Sequence, residues 1–312
     1  MRSRAFAVAL VVGLLLLPLL LPLLRRPAPT QVWLRRHPGV VPLYVENGVY
    51  LCTLRFDGAE ADCVVDTGSP HLLLAGRSCR SCDDPTSLRV TKTPTETLAY
   101  GSQSSRVAWR VGVLRVGAAR VPDVRAALTR EMEGETQYNI LGLARGALQR
   151  ALAPRRFAVA MLGDRGLLAI GARDVRALRR RHYAGRVARV PLLRSARPMY
   201  AVAGALRAGA AVWSGTVLVD TGSNFLSCPP RVLDALRPSL DAHAPIALEL
   251  RTVAGDALTL TFGPEIYRHA ASGTLLLEDD ETDVVVLGSF FMRHLALEFD
   301  DEHLGIARVV AE

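Results

Sequence analysis

Residues 61–76 read ADCVVDTGSPHLLLAG, and residues 215–230 read GTVLVDTGSNFLSCPP. Each is a short β-branched run that ends in Asp-Thr-Gly-Ser and resumes as a second apolar run. Downstream of each lies another shared element, NILGLARGAL at 139–148 and VVLGSFFMRHL at 285–295. Both carry an aliphatic pair and a glycine leading into a helical stretch. Asp66 precedes Gly142 by 76 positions, and Asp220 precedes Gly288 by 68. The order strand, Asp-Thr-Gly, apolar pair with glycine, helix is therefore written twice, so one half of the chain is a copy of the other. A given tripeptide arises by chance in roughly a few per cent of chains of this length. Two copies in the same context are far rarer, and an isolated Asp-Thr-Gly would otherwise read as an ordinary turn.

Duplicated aspartates suit one kind of chemistry. A peptide bond is hydrolysed without metal or covalent intermediate when one carboxylate takes a proton from water and another donates one to the carbonyl oxygen. Two carboxyl groups held side by side resist double ionisation and share a proton, so they titrate as a unit. On this reading Asp66 and Asp220 are the catalytic pair. Gly68 and Gly222 let two loops approach back to back where a Cβ would clash. Thr67 and Thr221 offer hydroxyls to the opposing loop, and Ser69 and Ser223 are placed to donate to their own aspartates.

Half of the 312 residues are hydrophobic, which is enough to bury one large core or two modest ones and argues against disorder. The formal charge of +8 overstates the basic character, because Arg2, Arg4, Arg25 and Arg26 flank one N-terminal apolar stretch. Without residues 1–26 the chain carries 34 Lys+Arg against 30 Asp+Glu, with no basic helix and no glycine-rich phosphate loop, so no nucleic-acid partner is expected. The seven histidines are dispersed, so neither a metal nor any cofactor is expected. The two serines lack a His-Asp relay, which disfavours a serine hydrolase.

Residues 5–24 carry no charge, and as a helix they would match the thickness of a bilayer core. Arg2 and Arg4 precede them, as in a signal peptide or an uncleaved signal anchor. A cleavage after Ala28 would put Arg26 at the third-last position, which is unfavourable. Pro18 and Pro22 disturb a membrane helix, so both readings stay open. Either one sends the chain into the secretory pathway, as a secreted protein or as a type II single-pass membrane protein with a lumenal or extracellular catalytic domain. The expected division is 1–26 signal or anchor, 27–42 linker or short pro-segment, 43–185 N-terminal lobe and 186–312 C-terminal lobe.

Five cysteines agree with an oxidising route. Asp57-Gly58 reads as a two-residue hairpin turn, and counting outward from it sets Cys52 opposite Cys63. That pair suggests a cross-strand disulfide, subject to local geometry. Cys79 and Cys82 are candidates for a small closed loop. A zinc site would need further ligands, and a redox Cys-x-x-Cys would need to open a helix after a strand. Cys228 is left over as a buried thiol or an intermolecular link.

The chain resembles the pepsin family of two-lobed aspartic proteases from about residue 43 to 310. Beyond the two Asp-Thr-Gly loops, residues 95–122 resemble that family's flap hairpin, with Tyr100, Gly101 and Ser102 at the flap Tyr-Gly-Thr/Ser. Residues 155–174 resemble its inter-lobe sheet, 187–209 the start of its C-terminal lobe, and 287–309 its last helix and closing hairpin. The resemblance implies a mostly-β, bilobal fold with a cleft between two barrel-like lobes, a polypeptide substrate, a flap that closes over it with Tyr100 lining the pocket, and a monomeric catalytic unit. One departure stands out: the family commonly carries a Trp seven residues after the first catalytic Asp, bonded to the flap tyrosine, and here that position is Leu73.

Period-two apolar runs predict strands over 40–54, 61–65, 106–116, 167–170, 201–206, 216–219, 247–250 and 258–262, and short helices near 145–153, 175–181, 230–236 and 290–294. Two functional readings are open. One is an active endopeptidase cutting extended peptides with apolar preference beside the scissile bond. The other is a binding module that keeps the fold without activity, which loss of either aspartate or either glycine would have signalled. A retroviral-type dimer needs only one Asp-Thr-Gly per chain.

Overall fold

The computed structural model describes residues 29–79, 81–82, 84–91, 96–100, 103–134, 138–153, 156–194, 198–269, 272–279 and 282–310. The apolar stretch 5–24 lies outside them; among the described residues no helix is long and apolar enough to cross a membrane. A first unit holds the helix Pro29–Arg36, within the segment read as a linker. Everything from Gly39 onward forms a second unit.

Two tight turns fix the register of its opening strands. Asp57 and Gly58 both take positive φ, 49° and 85°, the pattern of a type I′ hairpin. Pairing outward from this turn sets Phe56 opposite Ala59 and Cys52 opposite Cys63, as the spacing predicts. Asn47 and Gly48, with φ of 48° and 87°, make a second such turn between Val40–Glu46 and Val49–Phe56. The apolar run 40–54 is thus two strands, and the Asn-Gly pair is the signal that divides it.

Two sheets carry the unit among the described residues. The larger runs Tyr183–Pro191, His303–Val309, Leu295–Phe299, Phe157–Met161, Arg165–Ile170, Val40–Glu46, Val49–Phe56, Ala59–Asp66, Asn139–Gly142, Leu72–Ala75, Ala119–Glu133, Gln103–Val116 and Glu96–Tyr100. The smaller runs Ala257–Phe262, Ile246–Arg251, Ala201–Ala208, Ala211–Val219, Val285–Leu287, Leu226–Cys228 and Leu277–Asp279. The last hairpin of the chain therefore belongs to the sheet of the first half. Phe157 and Phe299 stack there at 4.7 Å between ring centres, with Tyr200 at 4.6 Å from Phe299, and all three are buried. Tyr200 leads into the strands that flank Asp220 and its carbonyl accepts the Val219 N–H, so this aromatic cluster joins the two sheets.

The duplication is visible in the pairing. Ala59–Asp66 lies parallel to Asn139–Gly142, which lies antiparallel to Leu72–Ala75. Ala211–Val219 lies parallel to Val285–Leu287, which lies antiparallel to Leu226–Cys228. In both copies the strand after the aspartate also has a parallel outer neighbour, Ala119–Glu133 or Leu277–Asp279. Short helices follow each copy, Ala147–Leu152 and Ser289–Met292.

Two elements depart from expectation. Helix Pro230–Asp241 runs past Leu236 and through Pro238, with Val232, Leu233, Leu236 and Leu240 buried along one side. Burial of that stripe outweighs the hydrogen bond that Pro238 cannot donate. Strand Ala119–Glu133 lies in a stretch rich in Ala, Arg and Glu, residues that favour helices. Its central residues Ala126, Ala127 and Leu128 are enclosed between Leu72–Ala75 and Gln103–Val116, and that tertiary pairing overrides local preference.

Candidate active site

Parallel pairing sets Asp66 opposite Gly142 at the end of the first copy; in the second the ladder ends with Val219 opposite Leu287, and Asp220 and Gly288 each come one residue later. A Cβ on Gly142 would lie 2.4 Å from the Ser69 and His71 carbonyl oxygens, and one on Gly288 would lie 2.2 Å from the Phe225 carbonyl oxygen. These glycines let the chain cross close over each Asp-Thr-Gly loop.

The two loops meet through crossed bonds. The Thr67 N–H donates to the Thr221 hydroxyl at 3.1 Å, and the Thr221 N–H to the Thr67 hydroxyl at 3.0 Å. Each hydroxyl donates onward, Thr67 to the Val219 carbonyl at 2.9 Å and Thr221 to the Val65 carbonyl. Both threonines are fully buried, so no water substitutes for these bonds. The glycines bring the carboxyl groups in. A Cβ on Gly68 would stand 2.4 Å from Asp220 Oδ2, and one on Gly222 would stand 2.4 Å from Asp66 Cγ. Each carboxyl group therefore occupies the space that a side chain at the opposing glycine would take.

The carboxyl groups have unequal surroundings. Asp66 is buried and accepts from the Gly68 N–H at 2.7 Å, the Ser69 N–H at 3.1 Å and the Ser69 hydroxyl. Asp220 accepts from the Gly222 N–H at 2.8 Å. Among the described residues no bond joins the Ser223 hydroxyl to Asp220, which corrects the symmetric role read for the two serines. The Ser223 carbonyl accepts the Ser289 N–H at 2.7 Å, whereas on the first side the Ser69 carbonyl accepts from Ala144. Withdrawal from water, then the negative Asp66 beside it and the hydrogen bond between the two side chains, hold the Asp220 carboxyl well above the usual carboxylate range; the Gly222 and Gly68 N–H groups pull the other way.

In the hairpin read from the sequence as the flap, Tyr100 ends the strand Glu96–Tyr100 and pairs through its backbone with Gln103; Gly101 and Ser102 lie outside the described residues. Leu73 is fully buried, in a cluster with Val107, Ala127 and Ile140 against which Trp109 packs. Leu73 and Trp109 both pair with Ala127 from opposite sides, so the indole stands two strands away from the position at which the resembled family carries one. Its Nε1–H donates to Glu96 at 2.6 Å across the flap hairpin, and its ring meets His71 edge-on at 5.2 Å. The flap base is thus tied to the segment that leaves Asp66.

Cys79 and Cys82 form a disulfide. Cys52 and Cys63 stand opposite each other as the register predicts, yet both are free buried thiols, which corrects the cross-strand bridge. Side chains directly opposite on a ladder have Cβ atoms about 4.5–5.5 Å apart. A disulfide needs about 3.5–4.5 Å. Burial pushes the Cys52 thiol up to about 12. Cys228 is likewise a buried free thiol. Sequence reading passed over Gln103, Tyr138, Asn47 and Asn224 near the site; the Asn47-Gly48 turn signal would have pointed to one of them.

No protein-family model and no curated protein matches the chain. Among solved structures, the crystal structure of the aspartic proteinase from Irpex lacteus matches with a TM-score of 0.67 at 17% sequence identity, covering 87% of this chain and 97% of that one. A likeness of that kind concerns the path of the backbone. The chain has the mostly-β, bilobal pepsin-like fold.

Proposed function

We propose that the chain is an aspartic endopeptidase in which Asp66 and Asp220 activate water between them. The observation that carries this reading is the pair of carboxyl groups held against the opposing glycines by crossed threonine bonds. In the free enzyme the pair shares one proton, which the raised Asp220 carboxyl favours, while three donors converge on Asp66. A water between them gives a proton to Asp66 as its oxygen attacks the substrate carbonyl carbon, and Asp220 gives its proton to the carbonyl oxygen. The resulting tetrahedral diol breaks at its C–N bond as one of its hydroxyls returns a proton to Asp220, the carbonyl re-forms, and the departing amine takes the proton held on Asp66. Carboxyl groups supply every proton, so the reading requires no cofactor or metal.

The substrate in this reading is an extended polypeptide lying beneath the flap hairpin, with the N-terminal lobe at 43–185 and the C-terminal lobe at 186–312. Thr67, Thr221, Gly68 and Gly222 fix the geometry, Ser69 supports the charged aspartate, and Tyr100, Gly101 and Ser102 cover the substrate. Routing into the secretory pathway rests on the apolar stretch at 5–24 and accords with the Cys79–Cys82 bridge.

The test is hydrolysis of a quenched fluorescent peptide library by the full chain from pH 3 to 7, with and without pepstatin. Cleavage that pepstatin blocks is the expected outcome. Folded protein that cleaves nothing at any pH would overturn the reading in favour of a binding module.

A further inference from the structure

A hydrogen-bonded path outside the catalytic loops runs from the flap to the Asp220 loop. It begins at Gln103, whose backbone pairs with Tyr100 at the flap end and whose side chain is buried. The Gln103 amide grips the backbone of Tyr138 on both sides, with Oε1 accepting the Tyr138 N–H at 3.1 Å and Nε2 donating to the Tyr138 carbonyl at 3.3 Å. The Tyr138 ring packs on Val49, Leu51 and Val64, and its hydroxyl accepts from Asn47 Nδ2 at 2.8 Å. The Asn47 carbonyl accepts from Asn224 Nδ2 at 2.8 Å. Asn224 is the second residue after the Gly222 of the catalytic loop, and its own carbonyl accepts the Phe290 N–H at 3.1 Å.

The turn in the middle is fixed tightly. The Ser289 hydroxyl donates to the Gly48 carbonyl at 2.6 Å, and a Cβ on Gly48 would stand 2.6 Å from the Phe290 ring. The left-handed conformation of Asn47 and Gly48 aims the Asn47 side chain at Tyr138 while its carbonyl faces Asn224. Four side chains from four separate stretches therefore meet in one chain of bonds. Gln103 belongs to the flap, Tyr138 leads into the strand that flanks Asp66, Asn47 sits at a hairpin tip, and Asn224 lies beside Asp220.

We propose that Tyr138 is a positioning residue that, with Gln103, Asn47 and Asn224, couples the placement of the flap to the Asp220 loop. A flap that closes on substrate moves Gln103, and its two hydrogen bonds to the Tyr138 backbone pass that displacement to Asn47 and so to the loop carrying the acid. The catalytic part of this inference rests on the proposed peptidase reading; the coupling itself does not.

Two measurements on the full chain test it. Native-state hydrogen exchange is compared in the wild type, Tyr138→Phe and Asn224→Ala. Tyr138→Phe keeps the ring and its packing and removes the acceptor for Asn47. Both substitutions are expected to speed exchange of the flap-strand amides in 96–100 and 103–107 about fivefold, although Asn224 lies more than a hundred residues away in sequence. Unchanged flap exchange in Asn224→Ala would overturn the coupling, whether or not the protein cleaves peptides. In kinetics, each single substitution is expected to lower kcat/KM about fivefold and the double variant no further than the worse single. A double variant whose loss is the product of the two singles would also overturn it. Absence of activity in the wild type would instead remove the peptidase reading and leave the exchange result to decide.

Discussion

The loops at Asp66 and Asp220 share one pairing scheme and one crossing glycine, yet they treat their carboxyl groups differently. Asp66 takes three donors from its own loop, two backbone and one hydroxyl, while Asp220 takes one from its own loop and a second N–H from Gly68 opposite. The cause lies in the residues just beyond each Asp-Thr-Gly. After Asp66, Ser69 turns its hydroxyl inward onto the carboxylate. After Asp220, no bond from the Ser223 hydroxyl to the carboxyl group is present among the described residues, and the Asn224 amide reaches out to Asn47. A duplicated framework thus yields an unequal pair, and inequality is what general acid and general base roles require of two like groups.

The largest effect should come from removing either carboxyl group. Asp66→Asn and Asp220→Asn are each expected to lower kcat/KM about 10³-fold or more, since proton transfer is lost while the shape is kept. Full activity in either variant would break the pairing. Next comes the contrast between the serines. Ser69→Ala is expected to slow hydrolysis about tenfold, because a hydrogen bond on the Asp66 carboxyl group is gone. Ser223→Ala should leave the rate within about twofold, and equal losses in the two variants would contradict the asymmetry. Thr67→Val removes the acceptor of the buried Thr221 N–H and should destabilise the fold by about 2 kcal/mol in denaturant melts. The smallest effect is expected from Trp109→Phe, which keeps a ring against Leu73 and loses the bond to Glu96; a rise in KM of about threefold would place that bond in flap anchoring.

Much of the molecule was readable in its sequence, and for identifiable reasons. The aspartates and their Thr and Gly neighbours are marked by residue type and repetition, so the crossed loops are expected from the sequence pattern. The Asp57-Gly58 turn fixed a register that places Cys52 opposite Cys63. Their failure to bridge depends on separations of about an ångström or less, which pattern does not encode. Ala119–Glu133 was hidden because its helix-favouring residues become a strand only between two long neighbours. Gln103, Tyr138 and Asn224 were hidden for another reason, since each is ordinary in its own stretch and gains a role only when distant segments meet.

The unequal pair also bears on stability, with no substrate present. A carboxyl group held above its unfolded value binds its proton more tightly in the folded chain. It contributes stability that is present below the ordinary carboxylate range and lost as pH rises through the raised folded value. Asparagine at 220 stays neutral throughout and so mimics the protonated group. Thermal melts of the wild type and Asp220→Asn between pH 3 and pH 7 therefore probe the shared proton itself. Equal Tm values are expected at the acid end, with a higher Tm for Asp220→Asn at pH 7; a variant that melts lower than the wild type at pH 7 would contradict an Asp220 carboxyl held above its ordinary range.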